Sequence, residues 1–306
     1  MKHLADLTDP KVAVRYIDVP PADLEKLQAF CSNCPYKQVT ISGVEWPYLA
    51  NADSGDTLLL LSGALSIPDI SWLTIAHFAH TYRVIAPAYP AVKTMDALVD
   101  GIAAILQQEG IKEAHVLGGS YGGFVAQVFV RRYPGLTRSL VLSHTFPPDP
   151  ANIETIQKMA RWMPLLPEGV LRWLMGKRLG ALMPAKTPET SLFHAMFEEL
   201  LYDHLTKADI LSTLWRTVDY YSQQYTPQDL AGWQGKVLLV MADDDPGTPE
   251  SVRDAMSALY PGARLHLFHG TGHSTSVLKE QEYQEVIEQF LKEVIEDRGT
   301  EGYDRR

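Results

Sequence analysis

The chain predicts an α/β protein built on a mostly parallel, doubly wound sheet with helices on both faces. Three observations carry this. From residue 38 onward short, continuous apolar runs alternate with helical stretches. Such runs suit strands covered on both faces rather than strands with one wet side. One long helical interval interrupts the alternation, and one serine sits among four glycines at a strand-to-helix junction.

In chain order, QVTIS (38–42) and WPYLA (46–50) read as a hairpin opening the sheet. TLLLLSG (57–63), YRVIAPAYP (82–90), AHVLGGS (114–120) and SLVLSHT (139–145) read as buried strands. DALVDGIAAILQQEG (96–110) and FVAQVFVRRYP (124–134) have helical periodicity, the latter stopping near Pro134. Between 146 and 231 only helical pattern is found. One helix there starts at a capping box made by Thr206 and Asp209 and continues with Ile210, Leu211, Leu214, Trp215 and Val218 on one face. KVLLVMAD (236–243) and RLHLFHG (264–270) resume the strands, and EDRGTEGYDRR (296–306) reads as a frayed polar tail. The expected division is a core in two parts, 1–145 (with 1–37 as an N-terminal extension) and 232–306, separated by a helical cap at 146–231.

Bulk properties narrow the function. Of 306 residues 46% are apolar and 21% charged, enough for a large core. A formal charge of −10 with no basic block excludes a nucleic-acid partner. Stretches such as TLLLLSGALSI are too short to span a membrane. The N-terminus lacks the apolar core of a signal peptide, so a cytoplasmic location is expected. Cys31 and Cys34 form a lone C-x-x-C without a second pair, and a structural or incidental role is expected for them. No metal site and no cofactor are expected. The three carboxylates at 243–245 lack the alternation of a calcium loop, and GGSYGG lacks the G-x-G-x-x-G of a dinucleotide site.

Gly118-Gly119-Ser120-Tyr121-Gly122 matches G-x-S-x-G between a strand and a helix, the context of a nucleophile elbow. Side chains at 118 and 122 would collide with the neighbouring strand and helix. The tight turn lifts the Ser120 hydroxyl and turns the Tyr121 amide toward a developing oxyanion. A serine nucleophile needs a base, and the base an orienting acid, in the order serine, acid, histidine. Asp243, Asp244 and Asp245 end a late strand. Ala242 and Pro249 stand where G-x-x-D-x-x-x-P would place glycine and proline, which selects Asp245 as the acid, with Asp244 the alternative. After the last strand His273 is the expected base. His269 lies nearer the strand and is expected to bond locally.

These motifs, in this order, resemble the α/β-hydrolase family over roughly 38–295, and most closely maspardin and its bacterial relatives. The closer similarity rests on YRVIAPAYP, HVLGGSYGGFVAQVFVRRYP (115–134), SLVLSHTF (139–146) and LYPGARLHLFHGTGH (259–273). In that subgroup Tyr-Pro, here Tyr89-Pro90, replaces an aspartate-containing turn. The resemblance implies an α/β-hydrolase fold with a helical cap and a catalytic set Ser120, Asp245 and His273. It places an oxyanion hole at the amides of Tyr121 and Ala64, with Leu65 the alternative, after Ser62-Gly63 where many relatives have His-Gly. The expected activity is carboxylic ester hydrolysis on a small to medium, mainly apolar substrate, with Leu65, Trp162, Leu166 and Trp173 at the substrate site. Thioesterase, C–C hydrolase and acyltransferase chemistry share the same machinery. Maspardin itself is regarded as a binding or adaptor protein with an incomplete triad, whereas this chain carries all three residues. Both a monomer and a homodimer fit the sequence.

Overall fold

The computed structural model describes residues 1–52 and 54–301. The strands are β1 (Tyr36–Ile41), β2 (Val44–Ala50), β3 (Thr57–Leu61), β4 (Arg83–Pro87), β5 (Ala114–Gly119), β6 (Thr137–Ser143), β7 (Lys236–Ala242) and β8 (Arg264–Phe268). They form one sheet in the order β1-β2-β4-β3-β5-β6-β7-β8. β1 and β2 form the expected hairpin, turning on Ser42 and Gly43 at φ of 51° and 78°, the two-residue turn that matches strand twist. β2 also runs antiparallel to β4, and all later pairings are parallel.

The helices are α1 (Pro10–Ala13), α2 (Pro21–Asn33), α3 (Trp72–Phe78), α4 (Met95–Gln108), α5 (Tyr121–Arg132), α6 (Ile153–Trp162), α7 (Glu168–Gly180), α8 (Ser191–Glu199), α9 (Lys207–Tyr221), α10 (Glu250–Leu259), α11 (Thr275–Leu278) and α12 (Glu280–Glu301). Strand periodicity decides which of them cover which face. Leu58 and Leu60 of β3 join Ile75 and Phe78 of α3 and Ile287 and Leu291 of α12. Leu59 and Leu61 point the other way, into the cluster that contains residues of α4, α5 and α10. A strand buried on both faces thus reads as an unbroken leucine run.

Helices α6–α9 fill the interval between β6 and β7, and α9 packs against α6 and α7. Its start is the capping box read from sequence: Thr206 Oγ1 accepts from Asp209 N at 3.2 Å, and Asp209 accepts from Thr206 N at 2.9 Å. α5 begins three residues earlier than its periodicity suggested, directly at the elbow. The tail at 296–306, read as frayed, continues α12 to Glu301, and 302–306 lie outside the described residues.

The N-terminal extension is tied down by two buried carboxylates. Asp69, in the loop after β3, accepts from His3 Nδ1 at 2.8 Å, from Leu4 N at 3.2 Å and from Tyr36. Glu199, at the end of α8, accepts from Ala5 N at 2.9 Å and from Tyr16. The first residues therefore strap the β3–α3 loop to the cap. His3 Nε2 faces the Cys34 carbonyl at 3.0 Å. Both ring nitrogens meet acceptors, so the ring must carry both protons. Burial opposes that charge, but Asp69, with Cys31 assisting, outweighs it and raises the pKa to about 10. Cys31 and Cys34 are free thiols, and burial pushes that of Cys34 up to about 12.

The elbow packs closely on β3. A Cβ at Gly122 would lie 2.1 Å from the Leu61 carbonyl oxygen, and one at Gly118 would lie 2.3 Å from the Gly122 oxygen. A Cβ at Gly119 would meet only Ser143 O, at 3.9 Å. Gly122→Ala should therefore cost about 3 kcal/mol or more in chemical denaturation, and Gly119→Ala less than about 1. His3 has a folded pKa above its unfolded value, so its ionic contribution is full below about pH 6.5 and disappears as pH rises through about 10. Because the ring is partly solvated, the stability gap between wild type and His3→Ala should narrow by only about 1 kcal/mol between pH 6 and pH 10.5 in urea unfolding.

Candidate active site

Ser120 stands between β5 and α5 at φ 53°, ψ −121°, a strained conformation for a residue with a side chain. Its N–H donates to Ser143 O at 2.8 Å and its carbonyl accepts from Gly123 N at 2.9 Å, which holds the turn between β6 and α5. The Tyr121 amide is the first of α5 and has no acceptor within the helix. Ala64 and Leu65, on the loop after β3, line the same cleft as Ser120. Tyr89 secures that loop, with its N–H on Ser66 O at 2.8 Å and its hydroxyl on Ser62 O at 3.1 Å. This gives the Tyr89-Pro90 pair a structural task. Above it, the buried Arg216 of α9 donates to Pro90 O at 3.0 Å and lies over the rings of Tyr89 and Tyr121.

The three carboxylates after β7 grip successive parts of the loop after β8. Asp243 accepts from His269 Nδ1 at 2.6 Å, and Asp244 from the amides of Thr271 and Gly272 at 3.1 and 2.9 Å. Asp245 Oδ2 lies 2.8 Å from His273 Nδ1. His269 is thus a local partner of Asp243 on the exposed rim, while His273 lines the cleft with Ser120.

Asp245 also holds His144, a residue the sequence reading passed over. His144 Nδ1 lies 2.9 Å from the same Oδ2, which further accepts from Thr248 Oγ1 at 2.9 Å, while Oδ1 accepts from Gly247 N at 2.7 Å. Burial alone would push the Asp245 pKa up, but the bonds from His144, His273 and Gly247 bring it far below the usual carboxylate range. An ionised carboxylate only accepts, so both imidazoles present Nδ1–H to it. Burial keeps His144 below its ordinary pKa. The bond to Asp245 works against that, and the charge His273 can carry works with it. The available signal was positional: His144 follows β6, the strand beside β5, and residues ending adjacent parallel strands share one edge.

With Nδ1 protonated, a neutral His273 has its lone pair on Nε2, a buried atom without a hydrogen-bond partner among the described residues. No hydrogen bond joins it to Ser120 Oγ among those residues. Donor atoms of His144, Asp245 and His273 all lie within 4.8 Å of one another, a grouping that could ligate a metal. Both Nδ1 protons are engaged by Oδ2, whereas Nε2 of each ring is buried without a hydrogen-bond partner among the described residues.

The cleft has a volume of about 150 Å³ and a mostly apolar wall, with Leu179, Leu182, Met183, Phe193 and Phe197 supplied by the cap. Leu65 is in that wall. Trp162, Leu166 and Trp173, expected at the substrate site, are not: both tryptophans stand in solvent, and Leu166 packs partly buried against the core. Apolar content identified the cap helices as wall material, but which face of each helix turns inward depends on how they pack. The far end of α7 and α8 line the cleft.

A family profile described as alpha/beta hydrolase fold matches residues 56–280. No curated protein matches the chain. Among solved structures, a hydrolase from Pseudomonas aeruginosa PA01 superposes with a TM-score of 0.71 at 19% identity, covering 84% of this chain and 98% of its own. Naproxen esterase (carboxylesterase NP) from Bacillus subtilis gives 0.63 at 17% identity, over 94% and 99%. A thermophilic esterase from Thermogutta terrifontis gives 0.66 at 18%, over 85% and 99%. At these identities the neighbours bear on fold alone, and they agree with the family match. The chain belongs to the α/β-hydrolase fold family.

Proposed function

We propose that the protein is a serine hydrolase of the cytoplasm, cleaving carboxylic esters with small to medium apolar acyl groups. Within the family we group it with the bacterial relatives of maspardin, on Tyr89-Pro90 and the segment 115–134. One observation carries the reading: His273, which lines the same cleft as Ser120, is held by a buried, ionised Asp245 and has an Nε2 without a hydrogen-bond partner among the described residues.

The chemistry follows from that arrangement. Nε2 takes the Ser120 proton as Oγ attacks the ester carbonyl, and the imidazolium that forms is stabilised by Asp245. The amides of Tyr121 and Ala64 receive the oxyanion. His273 then gives the proton to the departing alcohol, leaving Ser120 acylated. Water, activated by the same Nε2, releases the acid. His144 acts as a positioning residue: a second neutral donor on Oδ2 fixes the carboxylate and draws charge from the oxygen that holds His273. The apolar, narrow cleft favours uncharged acyl chains over anionic ones.

The missing bond between Ser120 and His273 favours a second reading, a maspardin-like adaptor with an idle elbow. Resting sites of working enzymes also have long or open catalytic bonds, which tighten only with substrate. A fluorophosphonate probe separates the two. On the hydrolase reading it labels wild type at Ser120, located by peptide mass spectrometry, and labelling slows about 100-fold or more in His273→Ala. A folded wild type that resists the probe favours the adaptor. For His144, histidine side-chain ¹H–¹⁵N correlation spectra should contain one neutral ring with its proton on Nδ1 that gains a second proton only at a lower pH than an ordinary imidazole, and that ring should vanish in His144→Asn.

A further inference from the structure

The two tryptophans outside the cleft lie in a stretch of chain rich in exposed apolar side chains. Half of the exposed large apolar side chains among the described residues fall within sixteen positions of the cap. They are Met159, Trp162, Leu165, Val170, Trp173 and Leu174. Trp162 is 65% exposed, Leu165 73% and Trp173 56%. On α7 the spacing of 170, 173 and 174 places them on one side, continued by Lys177, whose ammonium lies over the Trp173 ring at 5.5 Å. The opposite side of α7 carries the fully buried Leu171, and Leu179 beyond it reaches the cleft. One helix therefore has solvent on one apolar face and the cleft beneath the other.

The charge of this stretch is opposite to that of the chain. Residues 153–183 contain Lys158, Arg161, Arg172, Lys177 and Arg178 against Glu154 and Glu168, in a protein of net charge −10. Arg172 is turned inward to Glu168 and the carbonyls of Tyr202 and Leu205, whereas Arg161, Lys177 and Arg178 are exposed.

We propose that the outer face of α6 and α7, with the turn between them, docks on an anionic lipid bilayer. Tryptophan and leucine flanked by lysine and arginine suit the boundary between headgroups and acyl chains. The attachment is peripheral: no helix among the described residues is long and apolar enough to cross a membrane. A two-fold pair of chains meeting on this face would set the same basic residues against each other, which disfavours a second copy as the occupant. Docking would leave α7 between the bilayer and the cleft, so esters dissolved in the bilayer would lie close to the cap.

The test is flotation of the full-length protein with phosphatidylcholine vesicles, with and without half of the lipid replaced by phosphatidylglycerol. It needs no catalytic activity, so it stands or falls separately from the hydrolase reading. Wild type should float with the anionic vesicles at low salt, partition at least about tenfold more weakly to the neutral ones, and have its tryptophan emission quenched by brominated lipid. Trp162→Ser with Trp173→Ser should abolish the quenching. Lys177→Glu with Arg178→Glu should weaken partitioning by about fivefold or more per residue changed. All four positions are exposed, and circular dichroism checks that the variants fold. No retention on anionic vesicles, or retention that ignores the tryptophans, overturns the proposal. So does sedimentation showing a wild-type dimer that the tryptophan variant dissolves, which would assign the face to a second copy.

Discussion

The carboxylate of Asp245 is the constraint around which the site is arranged. It is almost fully buried, and an ion can persist there only if its lone pairs are filled. Two imidazoles, a hydroxyl and an amide fill them, drawn from the ends of β6 and β8 and from the turn after β7. The same bonds dictate both histidine tautomers, and so leave the lone pair of a neutral His273 on Nε2. Without the ion, neither the orientation nor the tautomer of either ring would be fixed.

The N-terminal strap and Arg216 link the loops after β3 and β4 to the cap. Asp69 and Glu199 take hydrogen bonds from the first residues, and Arg216 bridges from α9 to Pro90. Loop, cap and extension are therefore joined by buried polar contacts as well as by apolar packing. Such contacts have directional requirements, and an arrangement that broke one would leave a buried charge unpaired. The cap's place over the sheet is thereby specified more narrowly than leucine packing alone would do.

What could be read from the sequence follows from how local each signal is. The strands were legible because an unbroken run such as Leu58–Leu61 has few other uses. The elbow was legible because Gly118, Ser120 and Gly122 must be adjacent to work. The capping box of α9 is likewise contained in four residues. His144, Arg216, Asp69 and Glu199 carry no local pattern; each gains its meaning from partners dozens of residues away. Trp162 and Trp173 mark the other limit. A large apolar side chain in a cap helix reads as buried until packing decides otherwise, and α6 and α7 turn these two outward.

The run Asp243-Asp244-Asp245 faces the run His269 to His273 piece by piece, as teeth meet a rack. Asp244 grips the amides of Thr271 and Gly272, and the residue types around it are narrowly held: Gly270 and Gly272 have φ of 69° and 53°, and Thr271 is buried with its hydroxyl on that of Thr275. The length is held as well. One residue added or removed would move His273 off Asp245 and bring a different part of the loop to each carboxylate. Among homologues this segment should therefore be constrained in length as well as in composition, and a gap placed here in an alignment should be read as loss of the Asp245–His273 pair.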